Sequence, residues 1–171
     1  MRYAVRYLSK LGHTKDIANA IAEALEIDAV SIIDENKLNN HVQILFLGGA
    51  PYANVMDPKL KKYASNLRKD DVDEVILFTT SNWSRRTVRS LKKILKNNGI
   101  IVRKDYFYAH MLNIKNRIPA AKEFALKIKG EKQNDSLWFK CIKPKGWRSK
   151  LKKYEGKVLL IVNTASEPLM I

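Results

Sequence analysis

Along the first 130 residues the apolar positions follow two alternating periods. Residues 2–8, RYAVRYL, alternate polar and apolar side chains and end in a loop, the pattern of a strand with two unlike faces. Residues 14–25 then place Ile17, Ala18, Ile21, Ala22 and Leu25 at helical spacing, with Thr14 positioned to cap the first turn and Asp16 favourable to the helix dipole. Short strands are expected at 28–33 and 43–47, the latter running into a loop at Gly48-Gly49-Ala50-Pro51-Tyr52. Asp57-Pro58 opens a helix with Leu60, Tyr63, Ala64 and Leu67 on one face. Residues 74–78, EVILF, form the near-continuous apolar run of a strand covered on both sides, and end in Thr79-Thr80-Ser81-Asn82-Trp83-Ser84. Val88, Leu91, Ile94 and Leu95 mark the next helix, stopped by Asn97-Asn98-Gly99. Residues 100–108 read as a fifth strand, and 120–128 return to the helical period. Five strands alternating with helices predict an α/β domain with a parallel sheet and right-handed crossovers.

In such a sheet, ligands bind beyond the carboxyl ends of the strands, where the strand order reverses. Three loops therefore become candidates: 9–14, 48–54 and 79–84. The first offers backbone N–H groups, the positive end of a helix dipole, two hydroxyls and Lys10, a set suited to phosphate, and Gly12 permits a tight turn. The other two each carry a large aromatic, Tyr52 and Trp83, able to stack on a flat ring. A phosphate cradle beside two aromatic loops suits a mononucleotide with an extended planar base.

Composition adjusts this picture in four ways. With 171 residues, 46% of them hydrophobic, the chain can bury one good core and a short appendage. No apolar run approaches the ~20 residues of a membrane-spanning helix, and the N-terminus lacks a signal-peptide pattern, so a cytoplasmic location without membrane association is expected. The single Cys141 closes no disulfide and has no cysteine neighbours for a metal site. Thirty-two Lys and Arg against 17 Asp and Glu give a formal +15. The basic residues are spread over ordinary helix faces such as SLKKILKNN, and much of the excess lies beyond residue 131. Solvated surface is thus favoured over a nucleic-acid stripe.

SKLGHTKDIANAIAEAL resembles the phosphate loop and first helix of the flavodoxins, whose motif is T/S-x-T-G-x-T, and LFLGGAPYAN and LFTTSNW stand where that family carries its two isoalloxazine-flanking loops. The resemblance covers residues 1 to about 130. It implies a flavodoxin-like three-layer α/β/α sandwich with a five-stranded parallel sheet in the order 2-1-3-4-5, and non-covalent FMN as cofactor. By position, Ser9, Gly12, His13 and Thr14 would hold the phosphate, with Lys10 and the Leu11 backbone in the same loop. Tyr52 and Trp83 would flank the ring, and backbone groups of Gly49, Ala50, Pro51, Tyr52, Ala53, Ser81 and Asn82 would contact it. Leu11 replaces the middle threonine of the motif and removes one hydroxyl. Flavodoxins are typically acidic, so a chain at +15 would suit an acidic redox partner. The implied function is electron transfer rather than stand-alone catalysis. Two other readings stand beside it: an NAD(P)H-dependent quinone reductase-type oxidoreductase of the same fold, and a cofactor-free polyanion-binding protein.

Residues 131–149 read as a basic linker with interleaved aromatics, Trp138, Phe139 and Trp147. Residues 150–166, ending KVLLIVNTAS, resemble the entry strand of the glutathione peroxidase family, in which that run leads to the peroxidatic cysteine. Pro168 stands at the cysteine position, so residues 150–171 are expected to be a truncated fragment without peroxidase activity.

Overall fold

Strand β1 (Tyr3–Leu8) is followed by helix α1 (His13–Leu25) and the short strand β2 (Ala29–Ser31). Strand β3 (Val42–Gly49), a hairpin of β4 (Pro51–Tyr52) and β5 (Val55–Met56), and helix α2 (Pro58–Asn66) come next. The remainder is β6 (Val72–Ser81), α3 (Arg86–Asn97), β7 (Ile101–His110), a short 3-10 turn (Met111–Asn113) and α4 (Ile114–Phe139). This computed structural model describes residues 2–139, with side chains through residue 131. The segment resembling a glutathione peroxidase entry strand lies outside the described residues, as do Trp147 and Cys141.

Five strands form one parallel sheet in the order β2-β1-β3-β6-β7. Once the hairpin strands are set aside, this is the expected order 2-1-3-4-5. Alternation along each strand sends its side chains to two separate cores. Val5, Tyr7, Ile44, Phe46, Ile76 and Phe78 pack under α1 and α4, with Ile17, Ile21, Ala121, Ala125 and Ile128 opposite them. Leu8, Leu45, Leu47, Val75 and Leu77 face α2 and α3, which contribute Leu60, Tyr63, Ala64, Val88, Leu91 and Leu95. Three layers result, with β3 and β6 covered on both faces, which explains their unbroken apolar runs.

Several elements, β3, β6 and α4 among them, extend beyond the sequence-based bounds, whereas β2 is confined to Ala29–Ser31 within the expected 28–33. Strands β3 and β6 run on through Gly48-Gly49 and Thr79-Thr80-Ser81, residues expected in loops. Parallel neighbours supply backbone partners that a local pattern does not reveal: Gly48 is in register with both Tyr7 and Phe78. Helix α4 likewise starts at Ile114, accommodating Pro119 early in its course, and continues to Phe139, so the first part of the expected linker is helical. At the end of α3, Asn98 does more than stop the helix. Its side-chain amide donates to the carbonyls of Ala64, Ser65 and Leu67 and so ties down the end of α2.

Candidate functional site

Because the sheet is parallel, all five carboxyl ends open on one edge, and a cavity of about 440 Å³ lies there, a size usual for small-ligand sites of roughly 300–1,000 Å³. Its lining draws on the loops after β1, β3, β6 and β7: Ser9, Leu11, His13 and Thr14; Ala50, Pro51, Tyr52 and Asn54; Thr80 to Ser84; and Met111. Ten expected residues thus come together, namely Ser9, Leu11, His13, Thr14, Ala50, Pro51, Tyr52, Ser81, Asn82 and Trp83. Lys10, Gly12, Gly49 and Ala53 do not line it.

The β1–α1 loop turns at Gly12, whose φ of 88° is one that side-chain-bearing residues rarely adopt. Its N–H donates to the Ser9 hydroxyl, and its carbonyl accepts from Asp16. The helix begins at His13, and no side chain among the described residues caps it. Thr14 is therefore not the cap that its position suggests. The turn at Gly12 carries it into the first helical turn, where it is buried with its hydroxyl 2.7 Å from that of Thr80 on β6. The first-turn amides of α1 and the dipole behind them remain available to an anion at the cavity.

Lys10 points elsewhere. Its ammonium is 2.6 Å from Asp57 Oδ2 and 4.3 Å from the centre of the Tyr52 ring, so its charge serves an internal pair. Asp57 also caps α2, accepting from the Lys59 amide at 2.8 Å. Burial pushes the Asp57 carboxyl upward, but the hydrogen bonds from Lys10 and Lys59 and their charges outweigh it, and the group lies below the ordinary carboxylate range. Lys10 is raised, first by its hydrogen bond to Asp57. The Tyr52 hydroxyl accepts from the Lys10 amide at 2.8 Å, which fastens the hairpin to the β1–α1 loop. At the hairpin tip, Ala53 and Asn54 both have positive φ, as a two-residue turn of the primed type requires.

Gly48 and Gly49 allow close packing of their strand against its neighbours. A Cβ on Gly48 would lie 2.1 Å from the Phe78 ring, and one on Gly49 would lie 2.4 Å from Leu60. Opposite the hairpin, Trp83 is 84% exposed and has a φ of 123°, a strained value for a bulky residue. Its loop is fixed from below: the Ser81 hydroxyl donates to the Ser84 carbonyl, and the Tyr108 hydroxyl donates to the Ser81 carbonyl. The ring meets His110 edge-on at 5.3 Å. Trp83 thus combines an exposed ring with a strained backbone on the cavity rim.

Asn54, Thr80 and Ser84 lie in the loops nominated from sequence but were not named as individual contacts, and Met111 lies outside those loops. Met111 follows the last strand, and the carboxyl-end rule that nominated the other loops also covers it.

Solved structures with the same architecture include several flavodoxins. Oxidised flavodoxin 1 from Bacillus cereus matches with a TM-score of 0.62 over 74% of this chain and 95% of its own, at 14% identity. A Fusobacterium nucleatum flavodoxin bound to flavin mononucleotide matches with 0.62 over 77% and 99%, at 17% identity. An archaeal flavodoxin matches with 0.52 over 75% and 99%, at 20% identity. No family model matches the chain, and no curated protein matches it. At these identities the likeness establishes the fold: this protein is a flavodoxin-like α/β/α sandwich.

Proposed function

We propose that this protein binds FMN non-covalently in the cavity and carries electrons to or from a partner protein. The observation that carries the reading is the lining itself, which puts the open start of α1 and two aromatic loops around one cavity of suitable size. The donor set fits the cofactor at both ends. Amides at the start of α1, with the Ser9 and Thr14 hydroxyls, would receive the phosphate, while Tyr52 and Trp83 would hold the ring between them. Lys10, engaged with Asp57, would leave phosphate recognition to amides and the helix dipole. Bound FMN supplies one- and two-electron redox chemistry. The chain's part is to orient the ring, exclude water from its faces and favour added negative charge through nearby basic residues, which raises the potential relative to an acidic protein of the same fold.

The test is a visible spectrum after FMN addition and gel filtration. The expected result is a yellow protein, with Trp83→Ala weakening retention by about tenfold through the lost ring contact. A parent protein that emerges colourless at micromolar concentration refutes the reading.

A further inference from the structure

The positive charge of the described region is not spread evenly, contrary to what its scattered Lys and Arg suggest in sequence. Residues 1–74 hold ten Lys and Arg against eleven Asp and Glu, whereas residues 75–122 hold eleven against the single Asp105. The second stretch comprises most of β6, all of α3 and β7, and the start of α4. Of its eleven basic groups, only Arg103, with Glu74 and Glu131, and Lys122, with Glu23, pair with carboxylates among the described residues.

Helix α3 concentrates the remainder. Arg86, Arg89, Lys93 and Lys96 recur at helical spacing on its exposed side, and Arg85 precedes them over the Tyr108 ring. Three arginines at the positive end of a helix with no acidic residue in its first turn oppose the dipole, so helix stability does not account for them.

The same edge of the molecule also exposes bulky apolar groups. Leu11 (68%), Ile33 (58%), Val55 (63%), Trp83 (84%) and Leu112 (81%) each follow the carboxyl end of a different sheet strand, which in a parallel sheet sets all five on one edge. Trp83 joins the two features, since it stands on the cavity rim two residues before Arg85. Exposed aromatic and aliphatic side chains bordered by arginine have the composition of a protein interface.

We infer that the Trp83–α3 side of this edge, with Arg85, Arg86, Arg89 and Lys93, docks an acidic surface of a partner protein carrying apolar side chains. The inference goes beyond cofactor binding and does not require it. A second copy of the chain is disfavoured by like charge. A nucleic acid would use the basic groups and leave the aliphatic ones without a role. An anionic membrane would call for a free apolar helix face, but Val88, Leu91 and Leu95 of α3 are buried against the sheet.

The test uses the full chain, labelled with 15N and free of flavin. A short peptide rich in Glu, Asp and Leu is titrated at low and at physiological salt, in parallel with single-stranded oligothymidine and phosphatidylserine vesicles. Expected are shifts of the Trp83 indole and of amides between residues 83 and 96. Arg86→Glu/Arg89→Glu should weaken peptide binding about tenfold, whereas Lys61→Glu/Lys62→Glu, which alters exposed lysines of α2, should leave it within about twofold. The inference is overturned by equal loss in both variants, by shifts confined to residues beyond 131, or by tighter binding of oligothymidine or vesicles than of the peptide. A protein that emerges colourless from FMN addition and gel filtration, yet binds the peptide at this site, would refute the flavin reading and leave the docking face standing.

Discussion

On the β1 and β3 side of the cavity, Lys10 pairs with Asp57 and the Tyr52 hydroxyl takes the Lys10 amide, while Arg6 of β1 reaches Glu35 at 2.6 Å, so these cations are paired within the fold. On the β6 and β7 side, Trp83 stands exposed on a strained backbone, and the arginines that follow it pair with no carboxylate among the described residues. The first wall spends its polar groups on its own geometry. The second leaves its charge and its aromatic face to solvent. A wall held by internal pairs positions a bound molecule, while a wall of unpaired cations and exposed rings is open to something that arrives from outside. The difference divides one edge between holding and meeting.

The two sides join through the core, and the largest expected effect is at that join. Gly48 from the first side faces Phe78 from the second, so Gly48→Ala should cost about 3 kcal/mol as the new methyl meets a fully buried ring. Phe78→Leu on the same background should recover part of the loss. Denaturant unfolding of the two single variants and the pair checks this, and simple additivity would mean that the strands are not interlocked there.

Next in size is a response of the first side to alkali. Burial pushes Tyr63 up to about 12, against the opposing charge of Arg6. The folded state therefore keeps a proton that the unfolded chain releases above pH 10, and stability falls as pH rises from 10 toward 12. The contribution is about 2–3 kcal/mol. Tyr63→Phe should unfold with a shallower alkaline slope. Some slope should persist because burial also raises Tyr3 and Tyr7.

Removing the anchor of the first wall comes third. Asp57→Ala should cost about 1–2 kcal/mol by loss of the α2 cap alone. Asp57→Asn keeps a capping oxygen and isolates the charge. Its stability deficit against the parent should be constant between pH about 4 and about 10, since the carboxyl is depressed and the Lys10 ammonium raised. The deficit should shrink as pH falls through the lowered Asp57 value, and again as pH rises through the raised Lys10 value. A deficit independent of pH would show that the ion pair does not hold the wall.

The smallest effect compares the two helix starts directly. Helix α1 carries Asp16 in its first turn, as the dipole favours, whereas α3 carries arginine. Arg86→Glu/Arg89→Glu should therefore raise stability by about 1 kcal/mol at low salt, and Asp16→Lys should lower it by about 0.5 kcal/mol. Thermal melts at low and high salt read both changes, which should fade together as salt is added. A loss of stability in the α3 variant would mean that its arginines hold the fold, and the contrast between the walls would fail.

Much of this was legible in the amino-acid sequence because the signals are local. The two-residue period of RYAVRYL, the helical spacing from Ile17 to Leu25 and the apolar run of EVILF suffice for the alternation of strand and helix, and that alternation constrains the sheet to be parallel. Parallel strands in turn point every carboxyl-end loop to one edge, which is why most of the cavity lining could be named beforehand. The tertiary structure alone decided what depends on residues far apart in the chain. Lys10 is turned to Asp57, Thr14 to Thr80 and Gly48 to Phe78, each across a crossover that no local pattern records. Periodicity reports which face of an element is buried, but not which side chain on another element lies opposite. Only folding brought the neutralised half and the basic half of the chain to opposite sides of one cavity.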